Sequence, residues 1–83
     1  MIEPSEIEAR IRTGVEGVEH VVVRDLTGTK DHFAATVVAA AFEGKSRVAQ
    51  HQLVYRALGE LVGGAVHALA LETHTPASWA ERA

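Results

Sequence analysis

The chain has 83 residues, 47% of them apolar and 23% charged, with a net charge of −3, five histidines and no cysteine. That describes one small folded domain spanning 1–83. It excludes a disulfide framework and a thiolate metal site built from this chain alone, and it argues against tight non-specific binding to nucleic acid, whose affinity comes largely from Lys and Arg displacing counterions. No apolar run approaches the ~20 residues of a membrane span. The acidic start "MIEPSEIEAR" lacks the pattern of a signal or transit peptide, so a cytoplasmic protein with no membrane partner is expected.

Pro4 suits the first turn of a helix, Glu3 and Glu6 favour its positive end, Ile7 and Ile11 form a narrow apolar stripe, and Gly14 is a natural stop. "GVEHVVVRDL" follows as a strand centred on Val21 to Val23, then turn chemistry over Thr27 to Asp31, then a second strand, "HFAATVVAAAF". Two strands joined by a short polar loop make a hairpin. After Gly44 the period changes: Ala49, Leu53, Ala57 and Leu61 recur every four residues, with Val54, Leu58 and Val62 beside them. Gly59 is expected to split this helix into two short ones, ended by Gly63 and Gly64. "AVHALALET" alternates as a third strand. Thr75 and Pro76 then cap a closing helix over Ala77 to Arg82, anchored by Trp79. The order αββααβα predicts an α+β domain, a three-stranded sheet with helices on one face.

Gly44-Lys45-Ser46 ahead of a helix looks like the end of a phosphate-binding loop. The full motif needs a second glycine five residues before the last, because successive backbone N–H groups wrap the phosphate, and that position is Ala39. Glu43 would also set a carboxylate beside the phosphate. The triplet needs another explanation, and the apolar run before it reads as a strand passing into a tight turn at Glu43-Gly44.

Several motifs in combination resemble the BolA family: Phe-x-Gly-Lys at Phe42 to Lys45 before a helix carrying His51, Val54 and Tyr55; His67-Ala68-Leu69 opening a strand that ends in Thr73-His74-Thr75-Pro76; and His32-Phe33 opening the second strand. The resemblance covers about Val18 to Trp79. It implies a fold similar to class II K-homology domains and two activities. One is a heterodimer with a monothiol glutaredoxin that shares a 2Fe–2S cluster, in iron–sulfur trafficking or iron homeostasis. The other is nucleic-acid binding and transcription regulation.

In BolA-like proteins the His of His-Ala-Leu is a recurring cluster ligand, and a His or Cys from the loop between the first two strands is another. The resemblance therefore implies His67 and His32 as metal ligands. Two imidazoles cannot satisfy a 2Fe–2S cluster, which needs four ligands. The remaining ligands would be the glutaredoxin cysteine and glutathione, and this chain alone would hold no cluster. His51 is read as a packing or hydrogen-bonding residue, and His20 and His74 as solvent-exposed. Lys45, Arg47 and Arg56 form the candidate nucleic-acid patch. Weak DNA binding is expected, because the segment "RALGELVGG" lacks the Gly-x-x-Gly clamp of K-homology domains and Gly14 to Gly17 has Glu16 inside it. Ser5, Ser46 and Ser78 show no neighbouring His–acid arrangement in the sequence, so no enzyme is expected. Sequence leaves open whether the apo-protein is a monomer or a homodimer.

Overall fold

Pro4 at the first turn and an extended Glu3 before it start helix α1, Pro4–Gly14, and Ile7 and Ile11 turn fully inward from it. The computed structural model describes residues 2–26, 28, 32–64, 66 and 68–81. Most of the expected Thr27 to Asp31 turn, together with His67 and Arg82, lies outside the described residues. The elements that follow are β1, Val18–Asp25; β2, His32–Ala39; α2, Arg47–Leu58; β3, Ala68–His74; and α3, Pro76–Glu81. No helix among the described residues is long and apolar enough to cross a membrane.

The sheet order is β1-β2-β3, with β1 antiparallel and β3 parallel to the central β2. Register runs from Val18 opposite Ala39 to Asp25 opposite Phe33, with an irregularity between Val18 and His20, and from His32 opposite Ala68 to Val38 opposite His74. Because side chains alternate along a strand, these pairings sort the sheet into two faces. The rows Val21–Val37–Thr73 and Val23–Ala35–Leu71 face α1 and α2. Val21, Phe33 and Val37 pack there with Ile7, Ile11, Val54 and Leu58 in one core. The α1–α2 crossing is tight: a Cβ added at Gly14 would lie 2.5 Å from the Ala57 Cβ.

Three local differences from the sequence expectation have clear causes. The second strand stops at Ala39, and Ala40–Phe42 form a 3-10 turn. β1 offers no partner beyond Val18, and the Ala40 N–H instead donates to the Gly17 carbonyl at 2.9 Å. The turn drives Phe42 fully into the core. After α2, Gly59–Leu61 form only a 3-10 turn instead of a second helix, with Gly59 at φ +56°. The third difference concerns α3. α1 and α2 share one face, but α3 brings Trp79 to the opposite face, with ring centroids 5.1 Å from His20 and 5.2 Å from His74. His20, Val38 and His74 are one row of that face, and the apolar Val38 between the two imidazoles is 1% exposed.

The Gly44-Lys45-Ser46 turn is explained locally. Gly44 sits at φ +75°, where a side chain is strained, and the Ser46 Oγ accepts from the Ala49 N–H at 3.2 Å as the N-cap of α2.

Candidate functional site

β2 and β3 run parallel, so both begin at the same end of the sheet. His32 opens β2 there, exposed, and is paired in the ladder with Ala68, the residue after His67 in sequence. His67 itself lies outside the described residues. Among the described residues no three His, Asp or Glu side chains gather into a metal-binding group. The chain has no cysteine. The donor side chain that the described residues offer at this end is the imidazole of His32.

The other three histidines lie toward the far half of the sheet and α2. His20 and His74 are half-buried against Trp79, not solvent-exposed as expected from sequence, because α3 folds over them. His74 Nε2 meets the Glu72 carboxylate at 2.5 Å, and its Nδ1 is 3.4 Å from the Ser78 Oγ. This Ser–His–Glu line was not legible in sequence. It does not make a nucleophile. The 3.4 Å contact is long for an O–H hydrogen bond. The Ser78 N–H, which an acyl-transfer site would use as an oxyanion donor, is taken by the Thr75 Oγ1 at 3.1 Å. The cluster holds α3 to the end of β3.

Gln50 ties three elements together. Its amide NH₂ donates to the Phe42 carbonyl at 3.2 Å and the Lys45 carbonyl at 3.0 Å, and its Oε1 accepts from the Thr73 Oγ1 at 2.7 Å. This fixes the first turns of α2 against β3. Of the candidate basic residues, Lys45 and Arg47 flank that helix start, whereas Arg56 lies nine residues beyond Arg47, about 14 Å along the axis. All three are exposed, but they do not form one compact cluster.

His51 is half-buried on α2, and its Nε2 is shielded from solvent with no hydrogen-bond partner. Burial, and secondarily the Arg47 cation one turn earlier, hold its pKa below the ordinary 6.5. His51 lines a concavity between α2 and β3, whose other charged or titratable groups are Arg47, Glu72 and His74. Below 6.5 the unfolded chain takes up the proton that the folded chain resists, so stability present above 6.5 is lost as pH falls through and below it. The melting temperature of the protein should therefore fall more steeply between pH 7 and pH 5 than that of His51→Gln. Parallel slopes in calorimetry would show that His51 titrates alike in both states.

A small α+β domain with a mixed three-stranded sheet, and with histidine placed at the common start of its two parallel strands, is thus defined. The sequence pattern of the family described as BolA-like protein matches residues 7–78, and the chain belongs to that family. It is 41% identical over 85 residues to human BolA-like protein 1, a match covering 90% of this chain and 62% of the human protein, so it spans less than two thirds of that relative. It is 38% identical over 52 residues to the DNA-binding transcriptional regulator BolA of Haemophilus influenzae, which covers 63% of this chain and 50% of that protein. Among solved structures, a BolA homologue from Coxiella burnetii superimposes with a TM-score of 0.82 at 32% identity, covering 96% of this chain and 99% of the other.

Proposed function

We propose that this chain is a cytoplasmic accessory protein that binds a monothiol glutaredoxin and shares a 2Fe–2S cluster with it, for iron–sulfur trafficking or iron sensing. The observation that carries this reading is His32, exposed at the end of the sheet and opposite the residue after His67, in a BolA-like chain with no thiol. His32 and His67 would supply imidazole ligands, and the glutaredoxin cysteine and glutathione would supply thiolates. Imidazole in place of thiolate raises the potential of such a cluster. A site divided between two proteins suits transfer better than a permanent structural role.

The test is to mix the protein with a monothiol glutaredoxin, glutathione, iron and sulfide and to record visible absorption and circular dichroism. The protein alone should hold no stable cluster. The mixture should give a one-to-one complex whose spectrum differs from that of the glutaredoxin homodimer. His67→Ala should abolish that difference, and His32→Ala should weaken or shift it, while apo-protein association persists in both. Wild-type spectra from both variants would remove the ligand assignment.

A second reading is nucleic-acid binding, favoured by likeness to the H. influenzae protein named a DNA-binding transcriptional regulator and by exposed Lys45, Arg47 and Arg56. Sequence-specific duplex binding that stays in the nanomolar range at physiological salt would place this reading first. Binding that moderate salt abolishes would leave it second.

A further inference from the structure

The sheet order leaves β3 with a neighbour, β2, on one side only. Such an edge presents a row of backbone N–H and C=O groups that another chain can pair with. Between this edge and α2 lie two adjoining concavities, of about 430 and 320 Å³. They share Arg47, Thr73 and His74, and the larger adds His51, Leu71 and Glu72. The groove is pre-shaped, because Gln50 bonds the start of α2 both to Thr73 of β3 and to the turn before the helix.

We infer that this groove receives an extended acidic segment of a partner protein, which adds to the outer edge of β3 as a fourth strand and sets a carboxylate against Arg47. The charge argument has two parts. Arg47 is the cation that α2 sets into both concavities, and Gly44 to Gly59 contains no carboxylate to neutralise it. Arg47 is exposed and has no carboxylate partner among the described residues. On the strand side, the Glu72 carboxylate is held against His74 Nε2 at 2.5 Å. His51 faces the groove as a neutral ring, so Arg47 is the charge that selects the segment.

Backbone pairing supplies affinity in this mode of recognition, and the flanking side chains supply selectivity. A nucleic-acid strand would match the charge but not the alternating donors and acceptors of the strand edge. The groove's Arg47–His74 end is also separate from the histidine end. Val38 opposite His74 and His32 opposite Ala68 are six residues apart on β2, about 20 Å. A strand could therefore occupy the groove while another protein engages His32.

The test uses the full chain, labelled with nitrogen-15, and three end-blocked eight-residue peptides that alternate valine and threonine. One carries two aspartates, one carries two lysines, and the third is the aspartate peptide N-methylated at alternate amides. The aspartate peptide should shift the amides of β3 and of Arg47 and His51, and bind about tenfold or more tightly than the lysine peptide. N-methylation should abolish binding, and Arg47→Glu should reverse the order of the two charged peptides with the fold unchanged by far-ultraviolet circular dichroism. Equal binding of aspartate and lysine peptides, indifference to N-methylation, or shifts confined to another surface would overturn the proposal. So would tighter binding of an eight-nucleotide oligothymidylate at the same amides, which would make the groove a nucleic-acid site.

Discussion

Replacing Gly14 by alanine is expected to lower the melting temperature by about 10–20 °C, the equivalent of roughly 2–3 kcal/mol in a domain of this size. Alanine is the better helix former by about 1 kcal/mol, so propensity alone predicts the opposite sign. Geometry decides the outcome. The new methyl would lie 2.5 Å from the Ala57 Cβ and 2.9 Å from the Ala57 Cα. The second of these is backbone, and it cannot swing aside. α1 and α2 would have to separate, loosening the contacts of Ile7 and Ile11 with Val54 and Leu58 that make up much of the core. Ala57→Gly should cost about 1 kcal/mol by itself through helix propensity. In the double variant it should recover part of the Gly14→Ala loss, because it removes the methyl-to-methyl clash. Strict additivity of the two changes in thermal melts would mean the helices do not meet at these residues.

Phe42→Ala should be more damaging still. Phe42 is fully buried, and loss of a large buried aromatic side chain costs about 3–5 kcal/mol. Native proteins have about 5–15 kcal/mol in total and a domain this small sits toward the lower end, so the variant should lose a large share of its stability and melt far below the parent. Phe42→Leu keeps most of the volume and should fold with a reduced midpoint in urea. The position carries a second function, since the Phe42 carbonyl accepts from Gln50 Nε2. Collapse of the emptied site would displace that carbonyl and weaken the bond chain from the turn through Gln50 to Thr73. A wild-type midpoint for Phe42→Ala would contradict the burial.

These two positions also show how much the sequence reveals. Pro4, Ile7, Ile11 and Gly14 delimit α1 by local chemistry, and the change of period after Gly44 marks α2. The hairpin follows from two branched, apolar runs around polar turn residues. By contrast, "AAF" at Ala40 to Phe42 continues an apolar run, and nothing local ends the strand there. It ends because β1 begins pairing at Val18, a fact about a distant residue. The close approach at Gly14 is invisible for the same reason: a glycine at a helix end reads as a stop, and only the crossing helix reveals the contact with Ala57.

The candidate site divides in the same way. His32 was legible as a strand-opening histidine, and its ladder partner Ala68 follows His67 directly. His20 and His74 were not legible as a pair, because their meeting needs the register of three strands and the reversal of α3 over the sheet. Glu72 and His74 sit two apart on one strand, a spacing that shares a face, and this signal could have suggested their pairing. Lys45, Arg47 and Arg56 look like one basic group when written in a line. Helical rise draws Arg56 away from the other two.

The position of Trp79 has an optical consequence. It is the only tryptophan in the chain, and its indole lies against His20 of β1 and His74 of β3. Its emission therefore reports on the docking of one short helix against the sheet. Release of α3 would move the indole into water and shift its fluorescence to longer wavelength while the core beneath α1 and α2 stayed closed. Detachment of the C-terminal helix can thus be followed separately from global unfolding, without a label, by comparing tryptophan emission with far-ultraviolet circular dichroism through the same melt.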